Sequence, residues 1–557
     1  MKQTNRRPGS DPQLPEEPAL SAGSNPEPES GPNRERPAKG RAPAAHALRA
    51  LWQVQEESRF ARPSEKASAA GVSASAERQP AASADPAGLS EPRSVRESLW
   101  RGLKGGFALP AEPQTALDGG AEDSRQLERE LKKLAEEQHL VSDGIKLDNA
   151  ALIFPASESA DMMNMFRITA LLKEDVQPLV LQKALNLLVP RVPSMTSAVK
   201  RGLFWFYLEP SNKPLLIHRQ REFPCRKIPL DSRHALVRVT YYGREISAEF
   251  FHAATDGNGG ITFLNSLLYA YFRLLGYPVE CGVNCLNYLD RPRPEELVDS
   301  YHQFADGVTR KSMKEIRAYH MSGKRLPPTM LLYTKGIMSG RELNAIAKSR
   351  ELTVTELCTA CLLYAVERDR AFFLRKGNRP SIVAVPVNLR KYYQTQTLRN
   401  FVALMPVENR GLTDFDELCG VVREQLREQN TREFFEGYVN FNIGAQKNPF
   451  VKFLPLPLKV LAMKVALNMF SNNVTTTTFS NLGQAPVPES FGEHLCRYEF
   501  TLGPQKKALT TLTAVTFNDN AVFTFTRVIE ECNVERYFFR KLSELGAHVA
   551  LETNCEL

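Results

Sequence analysis

The sequence has no apolar run long enough to cross a lipid bilayer, which takes about 20 predominantly apolar residues. The segment that comes nearest, residues 453–467, is interrupted by two prolines and two lysines. It predicts a buried or lid-like helix, and peripheral contact with a membrane or lipid is left open as the alternative. Residues 1–8 also lack the apolar run of a signal peptide, so we expect a cytoplasmic protein.

A disulfide framework and a zinc site are not indicated by the cysteines, which are odd in number, nine, and scattered through apolar elements. Cys358 and Cys361 form a C-x-x-C pair, but they lie in a helix pattern for which Thr353 or Thr355 is the expected N-cap. A second pair bounds the loop at residues 281–285, with no histidine nearby. We therefore predict reduced, structural thiols and no metal.

The net charge of +8 is modest for 557 residues, and no recognised nucleic-acid-binding module is present. We expect no nucleic acid partner. A charged surface, or a positive region that attracts the phosphates of a substrate, accounts for the excess equally well.

Residues 1–140 have little of what forms a core, since proline, alanine, serine, glutamate and arginine dominate them. Such a composition cannot bury enough apolar area to offset the entropy of ordering. We expect a disordered N-terminal arm.

The clearest chemical pattern is H-x-x-x-D-G at residues 252–257. Before it, apolar and polar residues alternate with period two, which predicts a half-buried strand, and after it residues 261–269 are apolar at helical spacing. His252 is thus expected at a strand end and Asp256 in the following turn. Rigid elements on both sides would hold a general base in one direction, and Gly257 would permit the tight turn that starts the helix.

The same pattern occurs again at residues 302–307, but in a polar context. Neither a strand before His302 nor an apolar helix after Asp306 is predicted. We interpret His302 as a surface or packing residue.

Further motifs accompany the first pattern in a fixed order, and together they resemble the acyl-CoA-dependent acyltransferase superfamily. That superfamily includes chloramphenicol acetyltransferase, the condensation domains of peptide synthetases and the plant BAHD enzymes. Over residues 148–545 the chain is most similar to alcohol acetyltransferase-like members. The segments that carry the resemblance are the opening strand, helix and second strand at residues 166–168, 185–193 and 201–208, the PVNLR and TLRNF segments at 386–390 and 397–401, and SNLG at 480–483.

The resemblance implies an α/β fold of two chloramphenicol-acetyltransferase-like halves, each a mixed sheet with flanking helices. We place the halves at residues 141–310 and 311–557, since the chain between 290 and 330 is polar and contains Pro-rich pieces. In this superfamily donor and acceptor meet at the motif histidine, in a tunnel between the halves.

The implied function is transfer of an acyl group, acetyl included, from acyl-CoA as co-substrate to a small-molecule alcohol or amine acceptor, with no bound cofactor. His252 would be the general base, and Asp256 would form a supporting ion pair with Arg390 or, as second choice, Arg191. Asn400 is expected to be structural.

A tetrahedral oxyanion needs a hydrogen-bond donor, and the hydroxyl-rich strand of the second half offers the candidates Thr477, Thr478, Ser480 and Asn481. Their alternative interpretation is a plain strand and turn. O-acyl transfer is the favoured function. The alternatives are a condensation-like N-acyltransferase with a carrier-protein donor and a non-catalytic binding or scaffold relative.

Overall fold

The computed structural model describes residues 144–148, 150–159, 162–211, 213–306, 316–374, 377–447, 453–469 and 473–555. The predicted disordered arm, residues 1–140, lies outside the described residues.

Strands and helices alternate along this part of the chain, and both are numbered in chain order. The strands are β1 (Ile145–Lys146), β2 (Met165–Leu172), β3 (Ser197–Arg201), β4 (Phe206–Pro210), β5 (His218–Arg219), β6 (Val237–Tyr242), β7 (Glu245–Phe251), β8 (Leu332–Ser339), β9 (Ser381–Asn388), β10 (Val402–Asn409), β11 (Thr477–Gln484), β12 (Leu495–Leu502), β13 (Thr510–Phe517), β14 (Asn520–Arg527) and β15 (Ala550–Thr553). The α-helices are α1 (Ile153–Ser157), α2 (Pro178–Leu188), α3 (Pro193–Thr196), α4 (Gly257–Leu274), α5 (Ser300–Phe304), α6 (Gly340–Ser349), α7 (Val354–Phe372), α8 (Phe415–Gln429), α9 (Arg432–Lys447), α10 (Leu456–Met469) and α11 (Asn533–Glu544).

The strands form two larger sheets and one small sheet. The five-stranded sheet has the order β12-β2-β7-β6-β5, the seven-stranded sheet β10-β9-β11-β13-β14-β8-β15, and the small sheet β1-β4-β3. Both larger sheets are mixed: β6 pairs with β5 in parallel, and β11 pairs in parallel with β9 and β13, while the other pairs are antiparallel. The predicted α/β class, with mixed sheets and flanking helices, is confirmed.

Strand β12 links the two larger sheets. It belongs to the chain beyond residue 311, yet it pairs antiparallel with β2 and so completes the five-stranded sheet. The division into halves at residue 310 stays a prediction.

Strand β7, which leads to the H-x-x-x-D-G pattern, is buried on both faces and not half-buried as predicted. Its apolar residues Ile246, Ala248 and Phe250 pack under α2 and α4. On its other face Glu249 is buried too, because the guanidinium groups of Arg238 and Arg167 compensate its charge. The alternation of apolar and polar residues in β7 therefore marks one face in an apolar core and one face in a buried cluster of ion pairs, and neither face is exposed to solvent.

The segment at residues 201–208, predicted as a single strand, is a turn and the strand that follows it. The amide of Gly202 donates to the carbonyl of Trp205 at 2.8 Å, and this closes a hairpin between β3 and β4. A Cβ at Gly202 would lie 2.7 Å from the ring of Tyr207, so the turn is compact.

Helix α7 carries the C-x-x-C pair inside the core. Thr353 is its N-cap, since its hydroxyl accepts from the amide of Glu356 and the Glu356 carboxylate accepts from the amide of Thr353. Cys358 and Cys361 are fully buried, and all nine cysteines carry free thiols.

Helix α10 covers most of the apolar segment at residues 453–467, and it is a surface helix rather than a buried one. Its inner face packs against α1, while its outer face is exposed. In the part of the chain that the structure describes, no helix is both long enough and apolar enough to cross a membrane.

Candidate active site

His252 comes directly after β7, and its ring is held between aromatic side chains. Its backbone amide donates to the carbonyl of Asn164 at 2.8 Å, which ties the strand end to the start of β2. The ring stacks on Phe154 of α1, with centroids 4.6 Å apart, and meets the edge of Phe166 at 5.0 Å. The half-buried imidazole therefore has one well-defined plane.

Asn400 sets the protonation of this ring. Its side-chain amide group donates to the carbonyl of His252 at 2.8 Å, and its Oδ1 lies 3.0 Å from Nδ1 of the ring. Because an amide oxygen can only accept, Nδ1 must carry the proton in this pair. The lone pair of the neutral ring is then on Nε2, which has no hydrogen-bond partner among the described residues.

Burial lowers the pKa of His252 from its ordinary value of 6.5. Its backbone hydrogen bond, the charge of Asp256 and the hydrogen bond with Asn400 act in the opposite direction, and burial outweighs them. The ring is consequently neutral at pH 7 and able to accept a proton.

Asp256 is the N-cap of α4, and its carboxylate is fully engaged in hydrogen bonds. Its Oδ1 accepts from the amides of Asn258 and Gly259 at 3.1 and 3.2 Å. Its Oδ2 accepts from Nη1 of Arg390 at 2.8 Å and from the amide of Phe401 at 2.9 Å. Four donors occupy the carboxylate, so its role is to hold the turn that carries His252.

Arg390 extends this support to a second segment of the chain. Besides the ion pair with Asp256, its Nε donates to the carbonyl of Thr397 at 2.9 Å and its Nη2 to the carbonyl of Arg399. The side chain is 10% exposed and that of Asp256 is 2% exposed, so the pair is shielded from water. Arg390 thus connects the turn after β7 to the segment that presents Asn400.

Arg191, the second choice as partner of Asp256, lies in another ion pair. Its two terminal nitrogens donate to the two carboxylate oxygens of Glu296 at 2.6 and 2.7 Å. This bidentate geometry leaves no role for Arg191 in the turn, and its placement there was wrong.

The glycines of the motif act through close packing. The backbone of Gly257 is outside the left-handed region, so the tight turn that starts α4 does not need a glycine for its backbone angles. A Cβ there would lie 2.6 Å from a methyl group of Leu482, and close packing is what requires glycine. Gly259 is more restricted, since a Cβ there would lie 2.0 Å from the hydroxyl of Thr255 and 2.5 Å from the carbonyl of Leu398. The first turn of α4 therefore fits tightly against the second half of the chain.

Two of the oxyanion candidates on β11 already have partners. The hydroxyl of Thr477 donates to the carbonyl of Thr510 at 2.6 Å inside the sheet. The side chain of Asn481 donates to the hydroxyl of Thr355 at 3.1 Å and accepts from the amide of Gly483 at 2.8 Å. Their hydrogen bonds suit a structural role within β11.

Ser480 differs, because its half-buried hydroxyl has no hydrogen-bond partner in the described ranges. Its strand runs on to Leu482, which lies against Gly257 at the start of α4. Ser480 as the oxyanion donor stays a prediction.

A buried pair that the sequence analysis did not find stands behind Asn400. Arg399, its chain neighbour, lies with Nε 3.1 Å from Oδ2 of Asp148, and its Nη1 donates to the carbonyl of Leu297. Burial raises the pKa of Asp148 to about 6, and the charge of Arg399 opposes that rise. The pair fastens the start of the described chain to the Asn400 segment.

A cleft of about 650 Å³ opens beside the supporting ion pair. Its wall includes Arg191, Arg293, Arg390, Asn258 and Thr397. The cleft thus borders the first turn of α4 from the side of Arg390, and its lining does not include the His252 ring.

His302 is exposed on the short helix α5, and its amide faces the capping carboxylate of Asp299 at 3.4 Å. It shares no element with the residues around His252, and the glycine of this second pattern lies outside the described residues. Across the described ranges, no group of three or more His, Cys, Asp or Glu side chains is arranged to hold a metal ion.

Sequence reasoning missed Phe154, Asn164 and Asp148, and it did not find that Asn400 forms hydrogen bonds with His252. Phe154 lies 98 positions before His252 in the sequence, and nothing in the residues around Phe154 indicates that the two rings are in contact. Asn400 stood in a recognised segment, yet its partner could be found only in three dimensions.

No protein-family model matches this chain, and no curated protein matches it either. Solved structures do. The chain is similar to polyketide synthase associated protein 5 from Mycobacterium tuberculosis, with 15% identity over 72% of this chain and 97% of that one and a TM-score of 0.48. It is also similar to TRI101 of F. graminearum complexed with coenzyme A and deoxynivalenol, with 11% identity, 73% and 99% coverage and a TM-score of 0.48.

A third similar structure is the wax ester synthase/diacylglycerol acyltransferase from Marinobacter aquaeolei, with 13% identity, 72% and 98% coverage and a TM-score of 0.43. None of the three TM-scores exceeds 0.48. What this chain does therefore has to follow from its own residues.

Proposed function

We propose that the chain is an acyltransferase that moves an acyl group from acyl-CoA to a hydroxyl acceptor, with His252 as general base. The observation that carries the proposal is the state of the ring. Asn400 and burial together leave a neutral imidazole with its lone pair on Nε2, which is what removal of a proton from an acceptor requires. The choice of CoA as donor carrier rests on the resemblance of the H-x-x-x-D-G pattern and its companion segments.

In the proposed reaction, Nε2 of His252 takes the proton of the acceptor hydroxyl as its oxygen attacks the thioester carbonyl carbon. A C–O bond forms and the carbonyl oxygen becomes an oxyanion, for which the hydroxyl of Ser480 is the proposed donor. Collapse of this intermediate breaks the C–S bond, and the leaving thiolate takes the proton back from His252. The products are the ester and free CoA, and no covalent acyl-enzyme is needed.

Asp256 and Arg390 take no proton in this scheme. They keep the turn in place, and Asn400 keeps the proton of the ring on Nδ1 throughout. This division follows from the four donors on the Asp256 carboxylate, which leave it no orientation toward the imidazole. The cytoplasmic location remains a prediction.

The experiment is release of free thiol from a panel of acyl-CoAs of increasing chain length, each offered with alcohols and with amines. We expect acceptor-dependent release with at least one alcohol. His252→Ala should lower turnover about 10²–10⁴-fold, whereas His302→Ala, the same change in the exposed copy of the pattern, should leave it unchanged.

Equal turnover of the His252→Ala variant and the unaltered chain would remove His252 from the reaction. If free thiol is released only in the presence of amines, the acceptor is an amine and not an alcohol. A folded chain that releases thiol from none of the donors would favour the binding or scaffold alternative.

A further inference from the structure

Helix α10 is apolar on the face that it turns outward as well as on the face that it buries. Leu456, Val460 and Met463, spaced like one side of a helix, pack into the small core around α1. On the opposite side Leu458 and Leu461 are 53% and 58% exposed. A surface helix in water normally carries polar residues there, so leucines on the outer face indicate a second apolar environment.

The exposed area continues beyond the helix. Phe453, just before α10, is 68% exposed, and Leu203, in the turn between β3 and β4, is 71% exposed. Leu203 belongs to the same surface, since its carbonyl accepts from the amide of Leu456 at 2.8 Å. Leu203, Phe453, Leu458 and Leu461 are together called the α10 surface. Clustered exposure of this kind marks an interaction site more often than scattered single residues do.

The charges around the α10 surface are mainly positive. Helix α10 contains no acidic residue, and of its two lysines Lys464 is exposed whereas Lys459 is buried. Glu158 interacts with Lys464 of α10 and also with Lys227 and Arg201, so three cations face this carboxylate. Arg201 and Lys464 are exposed. An apolar surface with a cationic border matches anionic lipid headgroups above an acyl-chain layer.

The α10 surface is also close to the proposed chemistry. Helix α10 packs against α1, and Phe154 of α1 stacks on the His252 ring. Two packed helices, α10 and α1, therefore separate the α10 surface from the ring.

We propose that the α10 surface seats the chain on an anionic lipid bilayer, with α10 lying in the plane of the interface. Its 14 residues are too few to cross the apolar layer, and a helix with leucines outward and cations at its border is the type that lies at such an interface. The binding itself does not depend on the acyl-transfer proposal. If both hold, apolar substrates dissolved in the bilayer reach His252 from the side of α1.

The test is sedimentation of the full chain with vesicles of phosphatidylcholine alone and with added phosphatidylglycerol, at low and high salt. We expect the chain to pellet with the anionic vesicles and to be partly released by salt. A variant with Leu458→Glu and Leu461→Glu should bind at least tenfold less. The matched control carries Leu216→Glu and Leu551→Glu, whose leucines are 53% and 59% exposed elsewhere on the chain, and it should bind like the unaltered protein.

Glutamate is a good helix former and both substituted positions are exposed, so the variant should fold; circular dichroism and thiol release without vesicles check this. The proposal is wrong if the full chain stays in the supernatant with anionic vesicles, or if the α10 variant and the control bind equally. It is also wrong if light scattering shows self-association that the α10 variant alone abolishes while vesicles bind neither form, because the occupant is then a second copy of the chain.

Discussion

Replacing Asn400 by aspartate separates the two functions that the structure assigns to this side chain. Aspartate keeps an acceptor at 3.0 Å from Nδ1 of His252 but loses the donor to the His252 carbonyl. It also brings a negative charge next to the ring. We expect the pKa of His252, which burial now holds below 6.5, to rise.

The size of the rise follows from the distance. An opposite charge within about 4–6 Å shifts a pKa by about 1–3 units, and the Asn400 oxygen is closer than that. Since His252, as the proposed base, would work only when neutral, the acidic limb of the kcat/KM profile should move up by about 1–3 pH units. Activity lost near neutral pH should then return as the pH is raised.

For Asn400→Ala we expect a different change in the pH profile of kcat/KM. It removes acceptor and donor without adding charge, so the limb should not move upward. The unpaired carbonyl should lower the free energy of unfolding by about 1–3 kcal/mol, and the freed ring should lower kcat/KM at every pH.

The assay is thiol release between pH 5 and 9.5, with thermal unfolding of each variant as the test of folding. Asn265→Asp is the matched control, because Asn265 is a fully buried asparagine on α4 that donates to two carbonyls and does not touch the ring. It should lower stability and leave the limb where it is. An unshifted limb in Asn400→Asp, or a normal rate in Asn400→Ala, would refute the tautomer argument.

Two further predictions concern the buried pairs behind the ring. Asp256→Asn and Arg390→Ala should each lower the free energy of unfolding, measured by urea titration, by about 3–5 kcal/mol. The loss in the double variant should be smaller than the sum of the two single losses by about 0.5–3 kcal/mol. In the control, the losses caused by Arg191→Ala and Asp256→Asn should add, because Arg191 pairs with Glu296. Burial raises the pKa of Asp148 in the folded chain from 3.8 to about 6. Its protonated form therefore stabilises the fold by about 3 kcal/mol, fully so below pH 3.8, and this contribution is lost as the pH rises through 6. Asp148→Asn should remove this component from stability measured between pH 4 and 7, and an identical pH dependence in both proteins would show that the carboxyl titrates normally.

The features that the sequence predicted well are local ones. Period-two alternation before residue 252 and helical spacing after it placed β7 and α4 on either side of the pattern, and Asp256 caps α4 as a carboxylate before a helix should. Thr353 likewise begins α7, because a cap and its partner are only three residues apart. The exposure of His302 also followed from its polar local context.

Local reasoning failed where a residue's surroundings are built by distant parts of the chain. The polar face of β7 looked solvent-exposed, and only the folded sheet brings Arg167 and Arg238 over Glu249. The segment at 201–208 was apolar enough for one strand, but its turn is stabilised by packing of Tyr207 on Gly202. The segment at 453–467 predicted a buried or lid-like helix, and burial was wrong, because the outer face of α10 has no covering element among the described residues.

For the site, the sequence by itself determined which side chain could accept a proton and how strand, turn and helix present it. The tertiary structure alone decided the rest: Arg390 and not Arg191 as the partner of Asp256, and Asn400 as the group that holds the proton on Nδ1. The reason is physical. A cap or an alternation pattern depends on geometry within a few bonds, whereas an ion pair or a tautomer depends on which atoms the completed packing brings within 3 Å.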